Sequence, residues 1–412
     1  MARFRCPLQE RPDMSKSSDG GAKHSQLKPA TRLVTGGRDP AAYHGFVNPP
    51  VYHASTVLYR TADDYLAHRN RYTYGRRGTP TSEALSDALA EIEGPQCEGV
   101  ALLPSGLAAA SVALLSTLKA GDHLLVTDNV YLPTRKFCDT VLARNAITTD
   151  YFDPTVGSGI TALMRPNTRA VFVEAPGSLS FEVQDIPAIA AEAHKRSAVV
   201  LMDNTWASPL YFRALEKGVD LSIQSGSKYI GGHSDLMLGV VAANKASWDR
   251  LQDTVFTMGL CVGPDDMYLG LRGLRTMDVR LAHHYQAGLK VARWFAQRPE
   301  VARVLHPALE SCPGHDIWKR DFTGACGLFS IVLKPAPTTK AHAFIDALTL
   351  FGIGASWGGY ESLVIPFDCT EMRSATKWNP GGPAIRFHIG LEDVDDLIGE
   401  LERGFAAFAA AG

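Results

Sequence analysis

Ser225-Gly226-Ser227-Lys228-Tyr229-Ile230-Gly231-Gly232-His233-Ser234-Asp235 follows directly on the apolar stretch of residues 219–223. A short apolar run closed by glycines reads as a buried strand that ends in a turn. The turn holds one lysine among glycines and small hydroxylated residues. An amine at the mouth of a sheet is poorly placed for solvation and well placed to condense with an aldehyde. Upstream, the apolar run of residues 198–203 ends in Asp203. Taken singly, a lysine and an aspartate read as a surface charge and a helix cap.

Together they form a pattern: a carboxylate closes one strand, and a lysine follows the end of the next. Ser225 and Ser227 stand where their hydroxyls can hold a phosphate. This is the residue set that pyridoxal 5′-phosphate (PLP) requires. The lysine carries the aldehyde as a Schiff base, and the acid keeps the pyridine nitrogen protonated.

Working outward, helical and strand patterns alternate. Residues 99–103, 123–127, 147–152, 170–174, 198–203, 221–225 and 238–243 read as buried strands. Residues 81–93, 105–119, 133–144 and 186–194 read as helices between them. That alternation predicts an α/β fold, a mostly parallel sheet covered on both faces. Ligands of such sheets bind beyond the carboxyl ends of the strands, where Ser105, Asp203 and Lys228 all fall. From about residue 275 a long helix (276–297) opens a second block. Strands at 327–333, 363–366 and 384–388 and helices at 339–350 and 394–408 follow, a smaller α+β domain. The expected division is 29–78 as an arm, 79–274 as the PLP-binding domain and 275–412 as the C-terminal α+β domain. Residues 1–28 are polar, lack an apolar core of a signal peptide, and are expected to be disordered; Met14 is an alternative start.

Bulk composition excludes several classes. With 41 basic and 43 acidic residues the net charge is −2, so there is no basic field for nucleic acid or an anionic membrane. No run of 18 apolar residues suggests a membrane span. The seven cysteines are scattered and form no CxxC, which points to reduced thiols in a cytoplasmic enzyme. No metal-ligand spacing is present, so no metal is expected.

Other residues converge on the lysine. Ser105-Gly106-Leu107 opens a helix after a strand, and helix N-termini attract phosphate. Tyr131, just past a strand end, can stack on a flat ring. Tyr74 and Arg76 sit in the arm; an arginine fork suits phosphate, and the arm cannot easily fold back over its own site. It is expected to reach a neighbouring subunit. Arg386, alternating with apolar residues on a predicted strand, needs an anion, and a substrate α-carboxylate fits. Residues 157–162 formally match a GxGxxA dinucleotide pattern, but no clean strand runs into it.

Four segments resemble the cystathionine/methionine-metabolism PLP enzymes of fold type I. They are Tyr74-Gly75-Arg76-Arg77-Gly78-Thr79, Ser105-Gly106-Leu107-Ala108, Met202-Asp203-Asn204-Thr205-Trp206 and the Lys228 motif. The resemblance runs from about residue 30 to the end and implies an aspartate-aminotransferase-type large domain. It implies that Lys228 binds the cofactor and moves protons, and that Asp203 pairs with the pyridine nitrogen. Tyr131 would stack on the ring and assist proton transfer. Gly106, Leu107, Ser225 and Ser227 would bind phosphate, joined by Tyr74 and Arg76 from the neighbouring subunit. Arg386, Ser356 and Trp357, together with Tyr131, would hold the substrate. Ser356-Trp357-Gly358-Gly359-Tyr360 looks like the segment of bacterial β-lyases, whereas γ-lyases and γ-synthases more often carry Leu at the Trp position. The family implies a homotetramer, a dimer of catalytic dimers, acting on an amino-acid thioether. The expected reaction is carbon–sulfur β-elimination; the alternative is γ-elimination or γ-replacement on the same scaffold.

Overall fold

In the computed structural model, which describes residues 27–411, strands collect into two sheets. The expected disordered extension, the alternative start at Met14 and Cys6 lie outside or almost wholly outside those residues. The first sheet has seven strands: β1 Gly99–Leu103, β2 His123–Thr127, β3 Thr148–Phe152, β4 Thr168–Glu174, β5 Val199–Asp203, β6 Leu221–Ser225 and β7 Gly239–Ala243. Their order is β1-β7-β6-β5-β4-β2-β3. Only β7 runs antiparallel to its neighbours; the pairs β6–β5, β5–β4, β4–β2 and β2–β3 are parallel. Every residue of β2 and β7 is buried, as a sheet covered on both faces demands. The parallel strands therefore all end on one edge, and β4, β5 and β6 bring Glu174, Asp203 and Ser225 there.

The second sheet has five strands: β8 Val301–Leu305, β9 Leu328–Leu333, β10 Gly352–Ile353, β11 Leu363–Phe367 and β12 Ala384–His388. Their order is β10-β11-β12-β9-β8, antiparallel except for β10–β11. Strand β12 lies at the centre of this sheet, so Arg386 is carried on its most constrained strand. The helices Met277–Ala296 and Val394–Ala410 cover the sheet with an apolar core that includes Phe295, Phe329, Phe344, Phe387 and Phe405.

Local chemistry explains the element ends. The helix Pro80–Glu93 starts with Thr79 as N-cap, a reciprocal capping box with Ser82, and Pro80 in its first turn. It buries Ala84, Leu85, Ala88, Leu89 and Ile92, an i, i+1, i+4, i+5, i+8 stripe. The helix expected over 133–144 instead runs α-helical over Leu132–Phe137 and widens to a π turn over Cys138–Leu142. The wide turn keeps Cys138 and Leu142 both buried. Two further helices, Lys245–Thr257 and Pro264–Leu274, were not anticipated. The first buries only Ser247, Leu251 and Val255, a stripe too narrow to stand out in sequence. Its Asn244 cap, and Pro264 with Asp265 and Asp266 in the second helix, were the available signals. No helix among the described residues is long and apolar enough to cross a membrane. All six described cysteines are free thiols.

Glu93 closes the helix Pro80–Glu93 in full burial. Its Oε1 accepts from Ser222 Oγ at 3.1 Å and Gln224 Nε2 at 2.8 Å, while Oε2 has no partner. Burial pushes the carboxyl from 4.5 up to about 8, against the opposing effect of those two bonds. The folded state thus prefers the protonated acid. Its stabilising contribution is complete below about pH 4.5 and is lost as pH rises through about 8. Glu93→Gln is expected to stabilise the protein by on the order of 2 kcal/mol at pH 9 and not at pH 4.5. Denaturant melts at the two pH values check this; equal effects at both would show that Glu93 ionisation is not linked to folding.

Candidate active site

The turn that carries Lys228 is built by backbone bonds. Lys228 N–H donates to Ser225 O at 3.0 Å, Gly231 N–H to Gly226 O at 2.9 Å and Gly232 N–H to Lys228 O at 2.7 Å. Gly232 has φ +73°, a left-handed conformation that needs glycine. The lysine is half-buried, and its Nζ donates to Ser356 Oγ at 2.8 Å. Nζ also stands 5.6 Å from the centre of the Trp357 ring. Gly358 has φ +84°, and a Cβ there would lie 3.0 Å from Lys228 Cβ and 3.1 Å from its Cα. The Ser356–Gly358 segment therefore presses directly on the lysine backbone. Burial, then the nearby Arg386 charge, lowers the Lys228 pKa; Asp203 pulls the other way.

Asp203 lies one strand over, paired in register with Glu174 on β4. Its Oδ1 accepts from Thr205 N at 3.0 Å and Thr205 Oγ1 at 2.5 Å. The Thr205 hydroxyl in turn accepts from Ser225 N–H at 2.9 Å. Nothing among the described residues donates to Oδ2. Burial raises the Asp203 pKa, and the Thr205 bonds and Lys228 only partly offset it. A cationic partner at Oδ2 would pull the pKa back down.

Ser105 caps the helix Gly106–Thr117, accepting from Ala108 N–H at 3.1 Å. A Cβ on Gly106 would lie 2.6 Å from Ser225 Cβ and 2.7 Å from its Oγ. Only glycine lets this helix N-terminus approach Ser225, and the exposed Leu107 N-terminal turn faces outward beside it. Ser227 Oγ accepts from Leu238 N–H at 2.9 Å.

Tyr131 is exposed, its hydroxyl free of hydrogen bonds among the described residues. Its N–H donates to Glu174 Oε2 at 2.7 Å. Burial, then the Glu174 and Asp203 carboxylates, raises its pKa, and Arg386 opposes them. Arg386 is buried. Its Nη2 donates to the carbonyls of Gly354, Ala355 and Ser356 at 3.2, 3.0 and 2.9 Å. Its Nε is buried without a partner, and Nη1 makes no bond among the described residues. Burial lowers this guanidinium to about 10. His388, two residues on, accepts from Gly358 N–H at 3.1 Å through Nε2.

Contacts and charge couplings thus bring Lys228, Asp203, Ser225, Gly106, Tyr131, Ser356, Trp357 and Arg386 together. Tyr74 and Arg76 are not among them. They line a separate cavity with Arg77, Trp248, Phe256 and Val262, where Arg76 donates to Phe256 O at 2.6 Å. Residues 157–163 form a 3-10 turn, not the strand–turn–helix a dinucleotide needs. Sequence reasoning passed over Glu174, Thr205 and His388. Glu174 had a signal, since it closes an apolar run as Asp203 does.

These residues fit PLP. An amine with a lowered pKa faces a carboxylate with one unfilled oxygen, beside a glycine-opened helix N-terminus and an arginine with unused donors. That arrangement belongs to PLP-dependent enzymes built on a mostly parallel α/β sheet. Residues 30–406 match the family model described as Cys/Met metabolism PLP-dependent enzyme, and the chain belongs to that family. It is 53% identical over 92% of its length to a Rhizobium johnstonii protein, provisionally named a cystathionine β-lyase, of which 96% is covered. It is 43% identical over 91% of its length to the cystathionine β-lyase MetC of Escherichia coli, with 98% of that protein covered. Among solved structures it resembles metB from Corynebacterium glutamicum, with a TM-score of 0.86, 29% identity, and coverage of 93% and 99% of the two chains.

Two outcomes follow from this geometry. Gly106→Ala forces a Cβ into Ser225 and should weaken cofactor retention by about tenfold or more, seen as faster loss of the visible absorbance band on dilution. Retention equal to the parent would remove the phosphate role from this helix end. Separately, only the neutral amine captures an aldehyde, so PLP uptake by the apoenzyme should rise with a midpoint below the ordinary lysine value of 10.5. Arg386→Met should move that midpoint upward; no movement would show that Arg386 does not act on Lys228.

Proposed function

We propose that this chain is a PLP-dependent carbon–sulfur β-lyase that cleaves L-cystathionine to homocysteine, pyruvate and ammonia. Cysteine S-conjugates would be further substrates, and the reaction serves methionine biosynthesis. The observation that carries this reading is Trp357. It packs over the Lys228 amine and is held there by Ser356, Gly358 and the central strand β12. The relatives named cystathionine β-lyase cover nearly the whole chain and support the same chemistry.

When bound, PLP supplies an aldehyde for the substrate amine and an electron sink for charge developing at the substrate Cα. The protein's residues do the rest. Arg386 turns Nε and Nη1, the donors its carbonyl cage leaves unused, to the substrate carboxylate. Asp203, its carboxylate plane fixed by Thr205, would offer its free Oδ2 to the pyridine nitrogen. Lys228, whose pKa is lowered by burial and by Arg386, takes the proton from Cα. Ser356 Oγ accepts from the amine and aims it. Tyr131 would stack on the cofactor ring, and Trp357 packs beside the lysine amine. The Cβ–S bond then breaks, the sulfur leaves as homocysteine, and water releases the remaining three carbons as pyruvate and ammonia.

In the same reading, residues 79–274 form the cofactor-binding domain and 275–412 the C-terminal domain. The enzyme works in the cytoplasm as a homotetramer of two catalytic dimers. Tyr74 and Arg76 reach the phosphate of a neighbouring subunit. Supporting this, the arm exposes Phe46, Leu58 and Leu66 at 71%, 86% and 74%. Such apolar exposure on one segment marks an interaction surface.

Incubation of the PLP-loaded enzyme with L-cystathionine, with the keto acid identified by mass, tests the reading. Pyruvate is expected, and Lys228→Ala should lower turnover by about 10³-fold. A 2-oxobutyrate product would establish γ-elimination instead.

A further inference from the structure

The connection between β11 and β12 reaches from the second sheet to the first and ends on one carboxylate. Asp128 lies at the end of β2, three residues before Tyr131, and its side chain is fully buried. Its Oδ1 accepts from Arg135 Nη2 at 2.6 Å, Ser374 N–H at 2.9 Å and Ser374 Oγ at 3.4 Å. Its Oδ2 accepts from Ala375 N–H at 3.1 Å, Thr376 N–H at 2.7 Å and Thr376 Oγ1 at 2.7 Å. Three successive backbone N–H groups thus close on one anion, a nest built from within the chain. Burial alone would raise this carboxyl, but the bonds from Ser374 and Thr376 hold it below the ordinary aspartate value.

A second tie runs beside the first. Arg373, 4% exposed at its side chain, donates to Glu182 at 3.1 Å and to Ser180. Glu182 Oε2 also accepts from Asn129 Nδ2 at 3.1 Å, and Asn129 Oδ1 accepts from Thr127 Oγ1 at 2.6 Å. Gln184 donates to Asn129 and to the carbonyl of Glu174. Glu174 holds the Tyr131 N–H. The turn of residues 127–131 is therefore bolted on one side to the ends of β4 and on the other to residues 373–376. Tyr131 itself makes no side-chain hydrogen bond among the described residues. No hydrogen bond of its own holds the ring, so its place follows the placement of this backbone.

We infer that Asp128 is a positioning residue that ties the β11–β12 connection to the Tyr131 turn and thereby sets where the Tyr131 ring stands in the cleft. This rests on the reading of Tyr131 as the ring that covers the cofactor. All six groups around Asp128 are used as donors, so only an acceptor on both oxygens satisfies them. An amide of the same shape turns an NH₂ toward fixed N–H groups and opens the nest.

The test is Asp128→Asn in the PLP-loaded enzyme, alone and combined with Tyr131→Ala. Visible circular dichroism of the bound cofactor is recorded without substrate, and kcat and KM with cystathionine. The single variant should change the dichroic band and lower kcat/KM about 10- to 100-fold, as a displaced group at a reacting centre does. In the Tyr131→Ala background the same substitution should cost little, because its effect runs through the missing ring. An unchanged band with a lowered melting temperature only, or equal costs in both backgrounds, overturns the inference. If Asp128→Asn does not fold, Thr376→Val removes one bond to Oδ2, together with the bond from Arg373 Nη1 to the same hydroxyl, and the same criteria apply to it. The dichroism requires bound cofactor and no turnover, so it stands apart from whether cystathionine is the substrate.

Discussion

Two basic side chains, the half-buried Lys228 and the buried Arg386, are brought into one site, and neither forms an ion pair with a carboxylate among the described residues. Uncompensated charge of this kind is costly to bury. The fold meets the cost with dipoles. Three carbonyls cage one side of Arg386, and the Ser356 hydroxyl receives the lysine amine. What remains is a site with a positive field, an amine driven toward neutrality and guanidinium donors without acceptors. Asp203 and Glu174 stand side by side at the ends of β5 and β4, both raised by burial. A ligand that is anionic at two ends and cationic at one ring atom satisfies all of these groups together.

That arrangement requires two separate sheets to meet accurately. Lys228, Asp203 and the Gly106 helix end belong to the seven-stranded sheet, whereas Arg386 and the Ser356–Trp357 segment belong to the five-stranded one. Two kinds of contact hold them in register. Gly358 packs against the Lys228 backbone with no room for a side chain, which sets how closely the segment approaches. The polar network around Asp128, Asn129, Glu182 and Arg373 joins the sheets at the Tyr131 turn. Buried networks of this kind are specific because each unmet donor carries a desolvation penalty.

Much of the fold was legible in the chain, because parallel strands buried on both faces appear as uniform apolar runs. β1, β2, β6 and β12 begin and end where their sequence patterns do. The strand-end carboxylate and the glycine-ringed lysine were legible for the same reason, since both break an apolar run abruptly. The helix Lys245–Thr257 was not, because it buries one narrow stripe. The edge strand β8 was missed too, since Ala302 and Arg303 face outward from it.

The amino-acid sequence by itself determined the chemistry available: one lysine, one strand-end aspartate, an inward arginine and the glycines that let them approach. Those are local matters of residue type, spacing and backbone conformation. Only the tertiary structure decided which distant groups meet. It placed Arg386 near enough to bias Lys228, paired Glu174 with Asp203 across a ladder, and closed residues 374–376 on Asp128 across almost 250 positions of chain. It also left Tyr74 and Arg76 at another cavity of the same chain. Such pairings depend on sheet order and on loops whose sequences carry no periodic signal, so no reading of local pattern contains them.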